Sequence, residues 1–117
     1  MDDFTVEIGH VGINMGSVEK AKDMAELFGE LLKIGSRKGL FSYWAGNLFE
    51  LVPDENPRGT NGHIGLLVSD VDAAVEHITS LGYTFDEEHT IYDDAGNRKI
   101  VYLNEEPGGF MIHLNQK

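Results

Sequence analysis

The sequence contains no cysteine among its 117 residues. That absence excludes disulfide bonds, catalytic thiolates, zinc fingers and iron–sulfur clusters. Basic residues are scarce as well: nine Lys and Arg residues stand against 20 Asp and Glu residues, so the formal net charge is −11. Such a chain lacks the positive surface that binds a nucleic-acid backbone or an anionic membrane. We therefore predict neither a nucleic-acid partner nor a membrane partner.

Long apolar runs are also missing, since no stretch approaches the ~20 residues of a membrane span. The opening residues, MDDFTVE, are acidic and lack the basic start and apolar segment of a signal peptide. These features predict a soluble, cytoplasmic protein. The length suits one small core, so we predict a single domain over 1–117. Five histidines remain as its main chemical resource.

The two halves of the chain resemble each other. Residues 9–13 (GHVGI) match residues 62–66 (GHIGL) at an offset of 53, and five identities fall within positions 9–28. Residues 46–51 (GNLFEL) match residues 109–114 (GFMIHL) at an offset of 63. Two matched blocks in the same order indicate an internal duplication. We predict a first module at about 5–53, an exposed polar linker at about 54–61 and a second module at about 62–115.

Each module is predicted to fold as β-α-β-β-β. The first strand is expected at 5–15, and later strands are expected at 33–36, 39–45, 47–52, 83–92, 98–103 and 109–114. The N-cap candidates of the two helices are Ser17 and either Asp70 or Ser69. Apolar residues at helical spacing predict one buried face per helix, extending to Leu31 and Leu32 in the first helix. In the second helix this face extends to Leu81, and Gly82 ends the helix.

Four polar residues occupy strand positions with apolar neighbours. His10 and His63 open the first strand of each module, whereas Glu50 and His113 end the last strand of each module. Because strand side chains alternate between two faces, each of the four points away from its apolar neighbours. A pseudo-twofold relation between the modules would bring all four together. Three imidazoles and one carboxylate suit a divalent first-row metal, so we predict a site for Zn, Ni, Fe, Co or Mn.

Each of these residues also has a purely structural interpretation. A lone strand histidine is often structural, and a lone glutamate often lies on the solvated face of a half-buried sheet. Their occurrence at repeat-equivalent positions favours the metal site. His77 and His89 have no repeat partner that could bind metal, so both are predicted to be surface residues.

The repeated layout resembles the vicinal oxygen chelate superfamily, which includes glyoxalases, bleomycin-resistance proteins, extradiol dioxygenases and methylmalonyl-CoA epimerases. The resemblance covers about residues 6–115 and is carried by GHVGINMGSVEKAKDMAELF, NLFELV, GHIGLLVSDVDAAVEHITSLGY and GGFMIHLNQ. It implies an α+β fold, with two tandem βαβββ modules whose mixed sheets form an incomplete barrel, and a homodimer. The metal ligands that it implies are His10, Glu50, His63 and His113. A narrower likeness, to the domain of this fold found beside 2-dehydro-3-deoxyphosphogluconate aldolase, rests on NGHIGLLVSDV and GGFMIHLNQK.

The sequence departs from the family at His113, where many members carry a glutamate that binds the metal and moves a proton. Glu50 is the only carboxylate of the four, so it is the candidate catalytic base, with a metal-bound water as the alternative. A divalent ion would hold two vicinal substrate oxygens and stabilise an enolate or oxyanion. Isomerase, lyase and dioxygenase reactions all fit this description.

Positions near the four residues supply candidate substrate contacts, some by sharing strand parity with Glu50 or His113. The candidates are Trp44, Leu48 and Met111, which could equally be core residues, with Tyr102 and Arg98 the weaker two. Gly12 and Gly65 lie two residues after the strand histidines and therefore on the same face. Lacking side chains, they would leave room beside a metal, although strand–helix packing would also explain them.

Two functions of different classes are compatible with these features. The first is a metal-dependent enzyme acting on a small oxygenated substrate, such as an α-keto acid or hydroxyketone. The second is a metal-free binding or resistance protein, for which the net charge of −11 would suit a cationic ligand. An accessory domain of a sugar-acid aldolase is a third, based on the narrower likeness. The four candidate ligands favour the enzyme, because a pure binding role does not require them.

Overall fold

The structure, a computed structural model, describes residues 3–55 and 59–117, so the linker positions 56–58 lie outside the described residues. The first module contains β1 Val6–Asn14, α1 Val18–Leu31, β2 Ser36–Lys38, β3 Tyr43–Ala45 and β4 Phe49–Val52. The second contains β5 Gly62–Val68, α2 Val71–Ser80, β6 Ile91–Tyr92, β7 Arg98–Tyr102, a short 3₁₀ turn Pro107–Gly109 and β8 Phe110–Gln116. The predicted β-α-β-β-β order is confirmed in both modules.

Both helices begin at side-chain caps that the sequence predicts. The Ser17 hydroxyl accepts a hydrogen bond from the Lys20 N–H at 3.2 Å, and the Asp70 carboxylate accepts one from the Ala73 N–H at 3.0 Å. Gly82 follows α2 with a φ of +96°, the left-handed region that favours glycine after a helix. The predicted helix boundaries are therefore confirmed at these three positions.

The apolar faces of the helices are shorter than predicted. Leu31, Leu32 and Leu81 are 65%, 51% and 61% exposed. Gly29 is buried against Gly35, and a Cβ at Gly29 would lie 2.6 Å from the Gly35 carbonyl oxygen. The chain turns away from the sheet after this contact, so the leucines that follow cover no core. Among the described residues, no helix combines the length and apolarity needed to cross a membrane.

Two strands of the first module begin later than predicted. Lys33 and Gly35 have positive φ angles of 54° and 73°, so β2 begins at residue 36 instead of residue 33. The bend before β3 is closed by a hydrogen bond from the Gly39 N–H to the Ser42 carbonyl at 2.7 Å. The predicted strand at 39–45 is therefore reduced to its last three residues.

The predicted strand at 83–92 is mostly a turn. Only Ile91–Tyr92 form a strand, preceded by an isolated bridge between Phe85 and Leu103. The Asp86 carboxylate accepts a hydrogen bond from the His89 N–H at 3.3 Å. A side chain that bonds the backbone three residues on competes with strand pairing, and here it prevents the longer strand.

The two modules form one continuous mixed sheet of eight strands in the order β2-β3-β4-β1-β5-β8-β7-β6. Within each module the first and last strands are parallel neighbours, β1 with β4 and β5 with β8. The modules join through antiparallel pairing of β1 with β5. The sheet is not closed, which confirms the predicted α+β fold with an incomplete barrel. The four strands that carry the polar residues consequently lie side by side at the centre.

The helices cover one face of the sheet, where each module has its own core. The first core consists of Ala21, Ala25, Ala45 and Leu51. The second consists of Val68, Val71, Ala74, Val75, Val101 and Leu114. Strand alternation places the neighbours of the buried strand residues on the opposite face. Those neighbours include Trp44, Glu50, Tyr102 and His113.

The described end of the predicted linker is tied to the sheet. Gly59 is buried with a φ of +83°, and its carbonyl accepts a hydrogen bond from the side-chain amide of Asn14. The Asn61 N–H donates to the Gly109 carbonyl at 2.8 Å, and its side chain donates to the Gly108 carbonyl at 3.0 Å. The prediction of an exposed linker is therefore wrong for Gly59, because these hydrogen bonds hold the segment between β1 and β8.

Candidate metal centre

Four side chains meet at the centre of the sheet. His10 Nε2 lies 3.1 Å from His63 Nε2. Glu50 Oε1 lies 2.9 Å from His63 Nε2 and 3.8 Å from His10 Nε2. His10, His63 and His113 each contribute one ring nitrogen, and these three nitrogens lie within 4.8 Å of one another. The structure thus brings together the four residues that the repeat singles out.

Two glycines make room for the imidazole rings. Gly12 is directly opposite His63 in the β1–β5 ladder, and Gly65 is opposite His10 and also pairs with His113. A Cβ at Gly12 would lie 2.0 Å from His63 Cε1, and one at Gly65 would lie 2.6 Å from the Cε1 atoms of both His10 and His113. The space expected beside a metal is therefore occupied by histidine rings. The first strand of each repeat supplies one histidine and a glycine that accommodates the first-strand histidine of the other repeat.

Burial and hydrogen bonding set the protonation of the cluster. Burial lowers the pKa of His10 from 6.5 to about 4, and it also lowers the pKa of His113. Burial alone would raise the pKa of Glu50, but hydrogen bonds from His63 and Ser42 outweigh it, and the pKa is lowered. At neutral pH, His10 and His113 are neutral and Glu50 is ionised. These are the protonation states that metal ligands require.

Two side chains that the sequence analysis missed orient the candidate ligands. The Ser42 hydroxyl donates to Glu50 Oε2 at 2.6 Å, and Asn115 Oδ1 accepts from His113 Nδ1 at 2.8 Å. The second bond leaves Nε2 of His113 as the nitrogen available to a metal. Strand parity could have identified Asn115, which lies two residues after His113. Ser42 reaches Glu50 only through the bend between β2 and β3.

Aromatic side chains flank the cluster at both ends. Trp44 is opposite Glu50 in the β3–β4 ladder, and its ring lies 5.3 Å from the ring of His10. Tyr102 is opposite His113 in the β7–β8 ladder, and the two rings lie 5.6 Å apart. These two predicted substrate contacts therefore lie on the same face as the cluster, at equivalent places in the two modules.

The other predicted contacts differ in position. Met111 is opposite His63 in the β5–β8 ladder and borders a cavity. That cavity, of about 450 Å³, is lined by His89, Ile91, Tyr102 and Met111. Leu48 lies in the turn before β4 and is 50% exposed. Arg98 Nε donates to the Asp72 carboxylate of α2 at 2.7 Å, and a substrate contact at Arg98 stays a prediction.

The two remaining histidines lie outside the cluster. His77, predicted to be a surface residue, is only partly exposed, and its ring lies 6.0 Å from that of Phe4. The side chain of His89 is 68% exposed, as predicted, with Nδ1 2.8 Å from Asp86 Oδ2. His89 nonetheless borders the cavity beside Tyr102. The prediction that His89 is a surface residue is therefore confirmed.

The donor set fits a divalent first-row metal. Three imidazole nitrogens and one carboxylate, with no thiolate, match the ligand preferences of such ions. The donors come from four adjacent strands, and two glycines provide the space in which their rings converge. His10, Glu50, His63 and His113 are thus the residues of this chain that would hold the ion.

Comparison with known proteins identifies the architecture. No family model matches the sequence, and no curated protein matches it. A solved structure of the hypothetical protein BH1468 from Bacillus halodurans C-125 has a TM-score of 0.57 and 14% identity, covering 97% of this chain and 95% of that one. Methylmalonyl-CoA epimerase from Mycobacterium tuberculosis has a TM-score of 0.55 and 19% identity, covering 93% of this chain and 86% of that one. A variant of the Streptomyces coelicolor epimerase in complex with 2-nitronate-propionyl-CoA has a TM-score of 0.57 and 16% identity, covering 95% and 94%.

The chain shares the fold of methylmalonyl-CoA epimerase. Identities of 14–19% support a common architecture and no further conclusion, because one fold hosts many chemistries. This shared fold agrees with the fold that the resemblance implies, and membership of the vicinal oxygen chelate superfamily stays a prediction. The narrower likeness to the domain beside the aldolase stays a prediction.

Proposed function

We propose that the chain is a metal-dependent enzyme of the vicinal oxygen chelate type, acting on a small oxygenated substrate such as an α-keto acid or hydroxyketone. The convergence of His10, Glu50, His63 and His113 carries this proposal. A divalent ion bound there would hold two neighbouring substrate oxygens and stabilise negative charge that develops on them.

Glu50 is the residue proposed to move the proton. Although burial alone would raise its pKa, the hydrogen bonds from His63 and Ser42 lower it, so Glu50 is ionised and can accept a proton at neutral pH. Ser42 holds Oε2 at 2.6 Å, and Oε1 faces His63 at 2.9 Å. A proton leaving a carbon next to a carbonyl would therefore meet a carboxylate that is oriented at both oxygens.

Within this proposal we favour an isomerase. The structures of similar fold include methylmalonyl-CoA epimerases, one of them in complex with methylmalonyl-CoA and NH4+. Removal and return of a proton at one carbon requires an oriented base and stabilisation of the intermediate charge. Glu50 and the candidate ligands supply these two elements. Lyase and dioxygenase reactions remain to be separated from isomerisation by substrate screening.

Elemental analysis and the fluorescence of Trp44 test the metal site directly. Trp44 is the only tryptophan in the sequence, and its ring lies 5.3 Å from that of His10. Protein purified without a histidine tag or chelator is expected to carry about one equivalent of a transition metal. Titration of the stripped protein with Co²⁺ or Ni²⁺ should quench Trp44 emission with the same stoichiometry. Both effects should be lost in His10→Ala.

A protein that takes up no Zn, Ni, Mn or Fe(II) after soaking would contradict the metal-dependent function. The metal-free binding function would then take its place. The cavity of about 450 Å³ beside Tyr102 and Met111 would be the first place to seek a bound ligand.

We also propose that the chain forms a homodimer through the bend between β2 and β3. Leu40 and Phe41 are 93% and 86% exposed. Two adjacent apolar side chains with this exposure are unfavourable in water, and a second copy of the chain would cover them. The double change Leu40→Ser and Phe41→Ser is expected to convert a dimer into a monomer, measured by size-exclusion chromatography with light scattering.

The control for the dimer experiment uses the exposed pair at the end of α1. Leu31→Ser and Leu32→Ser remove a second, smaller apolar surface, since these residues are 65% and 51% exposed, and should leave the dimer intact. A wild-type protein that is monomeric at micromolar concentrations would disprove the dimer. If both double variants dissociate the dimer, the bend between β2 and β3 is not the specific interface.

A further inference from the structure

Arg37 lies in a row of residues that crosses the sheet to the candidate metal centre. Arg37 is opposite Trp44 in the β2–β3 ladder, and Trp44 is opposite Glu50 in the β3–β4 ladder. Residues directly opposite each other in a ladder share one face of the sheet. The Arg37 side chain therefore belongs to the face that carries the four candidate ligands, although it lies on the edge strand.

The Arg37 guanidinium is held in place by two neutral partners. Its Cζ lies 5.1 Å from the centre of the Trp44 ring, a cation–π contact. Its Nη2 donates to Asn47 Oδ1 at 3.3 Å. Trp44 also contacts His10, with the rings 5.3 Å apart. One aromatic side chain thus separates the guanidinium from a candidate metal ligand.

Arg37 has no carboxylate partner among the ion pairs formed by residues 3–55 and 59–117. Arg98, the other arginine that the structure describes, does have one, because it pairs with Asp72. In a chain with 20 acidic and nine basic residues, such partners are plentiful. An arginine offers five N–H donors, and only one is used by Asn47, so at least one two-donor edge is free for an anion.

The two ends of the site face differ in polarity. At the β2 edge, Arg37 presents its guanidinium beside the Trp44 ring. At the other end, the cavity beside Tyr102 and Met111 is mainly apolar. A substrate bound at the centre would meet a charged edge on one side and apolar side chains on the other. This asymmetry would orient an elongated substrate.

We propose that Arg37 recognises a second carboxylate of the substrate, so that the substrate class is the dicarboxylic α-keto acids. This inference rests on the proposed function, because the first carboxylate and the keto oxygen would be held at the metal. The free edge of the guanidinium matches a planar carboxylate in a bidentate arrangement. Arg37 is then a specificity-determining residue, and Trp44 positions it.

Ligand binding to the metal-loaded protein tests the inference. The probes are α-ketoglutarate and α-ketovalerate, which have equal chain length and differ in the distal carboxylate. Affinities are measured by calorimetry and by Trp44 emission, so no enzymatic activity is required. The wild-type protein is expected to bind α-ketoglutarate about tenfold more tightly, and Arg37→Gln should abolish that preference. Arg37→Lys, which keeps the charge without the forked donors, should retain only part of it.

Lys38→Gln is the matched control, because it removes the same charge from the next residue of β2. Lys38 is opposite Tyr43, which packs against the core on the helix side of the sheet. This variant should keep the preference for α-ketoglutarate. Equal affinities for both probes in the wild type, or a preference that survives Arg37→Gln, would overturn the role of Arg37. Failure of the wild type to bind metal would instead refute the proposed function, and metal content measured beforehand separates the two results.

Discussion

Replacement of His63 by alanine is expected to weaken binding of Co²⁺ or Zn²⁺ by about a hundredfold or more. His63 is the most central of the candidate ligands, with Nε2 3.1 Å from His10 Nε2 and 2.9 Å from Glu50 Oε1. The change removes one nitrogen donor. It also removes a hydrogen bond that holds the Glu50 carboxylate. The affinity is measured by competition with a chromophoric chelator, and Trp44 emission gives an independent reading.

His77→Ala is the matched control for that experiment. His77 lies on α2, where its ring contacts Phe4 instead of the cluster. The control should bind metal with the wild-type affinity and stoichiometry. If His63→Ala binds metal with unchanged affinity, the four side chains do not form a metal site. The alternative interpretation of the strand histidines, that they are structural, would then be supported.

Replacement of Gly65 by alanine is expected to have the second large effect. The new Cβ would lie 2.6 Å from Cε1 of His10 and 2.6 Å from Cε1 of His113, so both rings must move. Overpacking of this kind lowers the free energy of unfolding by about 1–3 kcal/mol. Metal affinity should fall as well, because two of the four donors would be displaced. Urea denaturation and metal titration measure the two effects.

The sign of the stability change caused by Gly65→Ala distinguishes a collision with the imidazole rings from an effect on the backbone. In a protein that already carries His10→Ala and His113→Ala, the Gly65→Ala change meets no ring. Alanine is favoured over glycine inside a strand by about 0.5–1 kcal/mol, so the variant should then be as stable as its parent or more stable. An equal loss of stability in both backgrounds would mean that the imidazole rings are not what requires glycine here.

The positions of the candidate ligands could be read from the sequence because the relevant patterns are local. His10 and His63 each occupy the same place in a repeated strand, and strand alternation separates Glu50 and His113 from their apolar neighbours. The helix caps were also predictable, since a capping side chain bonds a backbone group three residues away. Because the two bonded groups are so close in the sequence, the order of residues is enough to predict such hydrogen bonds.

Predictions that needed neighbours from elsewhere in the chain were less successful. Leu31 and Leu32 continue the apolar spacing of α1, yet both are mostly exposed at the end of the helix. The ion pair between Arg98 and Asp72 of α2 could not be read from residue spacing either. Arg37, which the sequence analysis did not single out, reaches the site face because β2 pairs with β3. Each outcome depends on which surfaces meet, and spacing within one element does not encode that.

The sequence by itself determined the order of the elements, the two pairs of matching sequence blocks and the residue types available for metal binding. Only the tertiary structure decided how the two modules meet. The antiparallel register of β1 and β5 sets His10 opposite Gly65, 55 residues away in the sequence, and His63 opposite Gly12, 51 residues away. Packing of both modules at once selects that register, because a shift by one residue would turn the histidines to the other face and place them over residues with side chains.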